Sequence, residues 1–109
     1  MVRIDDVLTF ARGLGERFGG VSSLVEDGKE IFRRGEKVFL VLYLKSDPVR
    51  MEVRIDRNLR RLLVGKYESV SGGRLLGRNG AEVIASGQLE DGEVLDLVRL
   101  SFELSVDNL

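Results

Sequence analysis

The chain has no cysteine, no histidine and no tryptophan, and a single proline among 109 residues. Without cysteine there is no disulfide, no thiol nucleophile and no thiolate ligand for a metal. Without histidine there is no imidazole base and no Cys/His zinc site. Carboxylates, hydroxyls, amines and guanidiniums remain, and their spacing matches no Ser-Lys or carboxylate hydrolase. No catalysis, cofactor or metal is therefore expected. Long hydrophobic runs are also missing. The longest, Val38 to Leu44, has the length of a strand and falls far short of the ~20 residues that cross a bilayer. Charges in "MVRIDDVLTF" occupy the place of a signal peptide's apolar segment, so the expected setting is the cytoplasm, with no membrane partner.

What is present describes a folded domain: 43% hydrophobic and 32% charged residues, enough for one core. The expected unit is a single domain spanning residues 1–109. The net charge of -1 conceals an asymmetry. Between Lys45 and Arg78 there are nine basic and four acidic residues, an excess of five positive charges; the rest of the chain carries an excess of six negative ones. Such a division points to a polyanionic partner, or to nothing more than an Arg-rich strand and helix.

Apolar residues recur at helical spacing from Ile4 to Phe18, with Asp5 and Asp6 in the first turn and Gly19-Gly20 as a stop. Strands follow at "VSSLVED", "KEIFRR" and "KVFLVLYLK". The third is apolar on both faces and so expected to be central. Its Phe39, Val41 and Tyr43 would form one side. "VRMEVRID" alternates strictly, Val49, Met51, Val53 and Ile55 against Arg50, Glu52, Arg54 and Asp56, the pattern of a strand with one wet face. Asp56 caps a helix over Arg57 to Tyr67, with Leu59, Leu62 and Leu63 inward and Arg57, Arg60 and Arg61 outward. "ESVSGGRLLGRNG" reads as a loop, "AEVIAS" as a fifth strand, and Glu90 to about Val106 as the last helix.

Within that loop, "SGGRLLGRNG" approaches the spacing of a phosphate-binding P-loop. A P-loop needs a strand before it, a helix after it, a Lys for the β- and γ-phosphates and a Ser or Thr for magnesium. Here Arg78 and Asn79 stand in those two places, a helix precedes and a strand follows. No nucleoside triphosphate is expected. Arg74 and Arg78 would still project from the loop toward a phosphate backbone.

Three segments resemble the MmcQ/YjbR family of small bacterial proteins: "IFRRGEKVFLVL", "VRMEVRIDRNLRRLL" and "LVRLSFELS", the last closing on Ser101, Phe102 and Glu103. The likeness runs from Ile4 to Ser105. Asn79 and Gly80 stand where that family has a His-Trp pair, which marks a divergent member. The resemblance implies a frataxin-like (CyaY-like) α+β fold: an antiparallel meander with helices packed on one face, in the order α-β-β-β-β-α-β-α. It also implies a DNA-binding function, a label that rests on fold.

Two functional expectations follow. In one, the chain is a protein-interaction or homodimeric module that uses an exposed sheet face bearing Phe39 and Tyr43. In the other it binds nucleic acid through Arg50, Arg54, Arg57, Arg60, Arg61, Arg74 and Arg78, with an aromatic ring stacking on a base. Frataxins bind iron through acidic surfaces, and Asp5, Asp6, Glu90, Asp91, Glu93 and Asp96 form the acidic clusters here. Carboxylates at helix starts are ordinarily caps.

Overall fold

The computed structural model describes residues 1–106. The single-domain expectation also covers 107–109, which lie outside the described residues. The chain runs α1 (Ile4–Phe18), β1 (Val21–Glu26), β2 (Lys29–Arg34), β3 (Lys37–Tyr43), β4 (Arg50–Arg54), α2 (Arg57–Lys66), β5 (Val70–Gly72), a single 3-10 turn (Gly77–Asn79), β6 (Gly80–Ile84) and α3 (Asp91–Leu104). All six strands join one antiparallel sheet in the order β1-β2-β3-β4-β6-β5. The expected α+β meander is therefore present. β5, three residues long, is an addition: the stretch 68–80, read as loop, folds its first part against β6 at the sheet edge.

The alternation in the sequence becomes two faces. Leu40 and Leu42 on β3 pair with Val53 and Met51 on β4, which pair with Ala81 and Val83 on β6. These six side chains pack in one cluster with Val7, Ala11 and Leu14 of α1 and Val94, Leu97, Val98 and Phe102 of α3. Three buried apolar positions on α1 and four on α3, at helical spacing, give these two helices a stripe that the sheet covers. Leu59, Leu63 and Tyr67 of α2 join the edge of the same cluster, so the helices occupy one face.

One irregularity decides where Phe39 goes. Phe32 pairs with Leu40 but Arg33 pairs with Val38, so Phe39 is an extra residue in β3. A bulge of this kind turns two successive side chains toward one side. Phe39 and Leu40 both enter the core, and Phe39 meets Phe102 edge-on at 5.3 Å between ring centroids. Phe39 therefore lies on the helix side at 0% exposure, not on the face of Val41 and Tyr43, and that face is not open at Val41 either, which is 1% exposed. Ser101 of α3 serves the bulge: its hydroxyl donates to the Phe39 carbonyl and accepts the Arg54 N–H at 2.7 Å. The Ser-Phe-Glu ending thus has a structural role for each residue, because Phe102 packs on Phe39 and Glu103 pairs with Arg99 at 3.0 Å.

Candidate functional site

The opposite sheet face is where the charged residues converge. Along β4 it carries Arg50, Glu52 and Arg54. Glu52 sits between Val41 and Glu82 in register. A glutamate in the middle of a wet-faced strand should be solvated, yet Glu52 is 0% exposed. The glycine-rich segment has folded over it. The backbone N–H groups of Arg74, Leu75 and Leu76 all donate to its carboxylate, Arg74 at 3.0 Å and Leu75 at 3.1 and 3.0 Å to the two oxygens. Successive N–H groups turned inward make an anion-binding nest.

The segment that resembles a phosphate cradle does cradle an anion, but the anion is the chain's own carboxylate. Gly73 and Gly80 are there for close approach. A Cβ on Gly73 would lie 2.7 Å from a Glu52 oxygen and 2.9 Å from the Gly80 carbonyl carbon, and one on Gly80 would lie 2.5 Å from the Leu76 Cβ.

Four of the seven sequence-derived arginines are engaged within the chain. Arg50 donates to Glu82 at 2.7 and 3.2 Å and lies over the Tyr43 ring at 4.2 Å. The hydrogen bond it donates to Glu82 raises its pKa, and desolvation opposes the rise. Arg54 donates to the Val38 carbonyl at 3.1 Å. Arg60, expected outside, is half-buried and donates to the Gly80 carbonyl at 3.0 Å. Arg74 reaches Glu82 at 3.5 Å while its side chain stays 75% exposed. Tyr43 lies under Arg50, and Phe39 is interior. The two aromatic side chains expected to mark an interaction face are thus covered, one by a guanidinium and one by the core.

Arg57, Arg61 and Arg78 remain. All three are exposed, and none has a carboxylate within ion-pair distance among the described residues. The structure brings them together. With Arg60, Val64 and Gly65 they line an open groove of about 630 Å³ between α2 and the 3-10 turn. Among the described residues no acidic side chain lines it. The nest holds this geometry, since the turn that carries Arg78 begins one residue beyond the last N–H bound to Glu52. Beside the groove, Leu62 is 70% exposed, contrary to the inward packing expected, because Leu59 and Leu63 already take the inner side of a helix with no fully buried residue.

The acidic clusters act at helix starts. The Arg3 N–H donates to Asp6 at 2.9 Å and the Glu90 N–H to Glu93 at 3.1 Å. Asp96 pairs with Arg99 at 3.4 Å. No group of three or more carboxylates among the described residues could hold a metal ion. No described helix is long and apolar enough to cross a membrane.

Sequence reasoning missed Glu52, which sat in an alternating pattern that reads as wet, and Glu82, in the stretch "AEVIAS" read only as a fifth strand. A signal was available: a loop with the composition of an anion cradle, followed by a strand, needs an anion from somewhere, and β4 supplies one.

No protein-family model matches the sequence, and no curated protein matches it. Among solved structures, the Deinococcus radiodurans protein DR2400, which carries the DUF419 domain, is similar. Its TM-score is 0.82 at 18% identity, over 95% of this chain and 78% of that one. A Pseudomonas syringae protein is similar with a TM-score of 0.68 at 15% identity, over 97% of this chain and all of that one. At such identities the likeness establishes the fold.

Proposed function

We propose that the chain is a non-enzymatic binding module whose α2 groove holds the phosphate backbone of a nucleic acid. The observation that carries the reading is the convergence of Arg57, Arg61 and Arg78 on a groove that no carboxylate lines among the described residues. An arginine fork fits phosphate in two-point contact, and an open groove suits a strand better than an enclosed metabolite. The MmcQ/YjbR-like segments, and the DNA-binding role that resemblance implies, support the same reading. A fold shared with a DUF419-domain protein is compatible with it and selects no ligand.

A second reading is favoured by Leu62 and Leu75, exposed at 70% and 56% close to the arginines. An acidic protein, or a second copy of the chain, would cover both the apolar and the basic groups of this surface. The interface then lies on α2, not on the sheet face.

Titration of a fluorescent duplex and a single strand, with light scattering on the same sample, separates the two. Micromolar binding to nucleic acid that weakens with salt and is abolished by Arg57→Glu with Arg61→Glu supports the first. A dimer that forms at all salt concentrations, dissociates on Leu62→Ser and ignores nucleic acid supports the second and overturns the first.

A further inference from the structure

A second concavity lies far from the arginine groove in sequence, between the C-terminal halves of α1 and α3. It encloses about 580 Å³, inside the range of roughly 300–1,000 Å³ typical of small-molecule sites. Its floor is apolar: Phe10 and Leu14 from α1, Phe102 from α3. Phe18, at the end of α1, stands at one wall with its ring 5.7 Å from that of Phe102.

The mouth carries charge. Arg99 is neutralised by Asp96 and Glu103, and Glu103 by Arg99 in return. Arg34 lies 3.9 Å over the Phe102 ring and donates to the Phe102 carbonyl at 3.0 Å; both partners are uncharged. Arg17 is exposed beside Phe18, with its guanidinium 5.7 Å from the ring centroid. Neither Arg17 nor Arg34 meets a carboxylate among the described residues. Among the described residues, two positive charges with no carboxylate partner therefore overhang an apolar floor.

Gly13 lies in the interior of α1 and lines the cleft. Glycine there weakens the helix, and a Cβ at this position would touch nothing within 4 Å. No neighbour among the described residues requires glycine at this point, whereas a ligand lying against the helix backbone would.

We infer that the cleft between α1 and α3 binds a small amphipathic carboxylate, its apolar tail on Phe10, Leu14 and Phe102 and its head between Arg17 and Arg34. The charge at the mouth selects the acid over the matching alcohol. The inference is independent of the arginine groove.

The test is titration of the intact chain with decanoate and decanol, followed by calorimetry and amide shifts. Saturable decanoate binding is expected, with shifts centred on Gly13, Leu14, Phe18 and Phe102. Arg17→Ala should weaken decanoate about tenfold, the worth of one charge-assisted contact, and leave decanol unchanged. Gly13→Leu should block the acid while the thermal midpoint holds or rises, which separates a filled cleft from an unfolded variant. The inference is overturned if decanoate does not saturate, if decanol binds as tightly, or if Gly13→Leu has no effect. It is also overturned if light scattering shows a dimer that Phe18→Ser dissociates, since the cleft then belongs to a second copy.

Discussion

Glu52 is the residue on which the charged face depends. Burying a carboxylate costs several kcal/mol unless its oxygens are bonded, and here three successive backbone N–H groups supply the bonds. Glu52→Gln keeps the shape but places an amide NH₂ against N–H donors. The expected loss is about 2–3 kcal/mol, the range for breaking charge-assisted bonds to a buried group, read as a lower urea midpoint. An unchanged midpoint would mean that the nest contributes nothing to stability.

Arg50 makes a separate prediction. Its pKa is raised, first by the hydrogen bond with Glu82. A base whose folded pKa is raised stabilises the fold at every pH below its unfolded value and loses that contribution only as pH climbs through the folded one. Arginine titrates far above neutrality. The gap in thermal midpoint between wild type and Arg50→Gln should therefore stay constant from about pH 7 to about pH 10; a gap that closes in that window would rule out the pair as its source.

Among the elements, α2 is the one whose design is not explained by the core. It has no fully buried residue, and it carries a glycine, Gly65, with nothing within 4 Å of where a Cβ would stand. Gly65→Ala should raise stability by roughly 0.5–1 kcal/mol, the helix-interior preference for alanine, measured by denaturant unfolding. Reversing Arg57 and Arg61 to glutamate should change stability by under about 0.5 kcal/mol, as expected of exposed charges away from buried partners. The same double variant should abolish polyanion binding. A large loss of stability would instead mean that these arginines have structural partners.

For the whole molecule, the expected observable is a salt slope. If three or four arginines each displace a counterion from duplex DNA, affinity should fall by roughly 40- to 150-fold between about 50 and 200 mM salt. A flat response would exclude phosphate contact. The net charge of -1 cannot produce such a slope by general attraction, so a slope of this size locates the contacts on the basic face. Arg50→Ala, whose guanidinium is already committed to Glu82, should leave it unchanged.

Much of the fold was legible because strand and helix periods are local properties: Leu40, Leu42, Met51 and Val53 had to share a side, and Val94, Leu97, Val98 and Phe102 had to form a stripe. The same local reading misplaced Phe39, since a bulge depends on how β2 pairs with β3. It also read as solvated a strand face that a segment some twenty residues away covers. For the candidate site, composition alone identified arginine as the chemistry. Which arginines are available was decided by tertiary contacts, because Glu82, the Val38 carbonyl and the Gly80 carbonyl take Arg50, Arg74, Arg54 and Arg60 and leave Arg57, Arg61 and Arg78 together. A side chain's type is written in the sequence; its partner is set by which backbone groups and charges the fold brings within about 3 Å, the reach of a hydrogen bond.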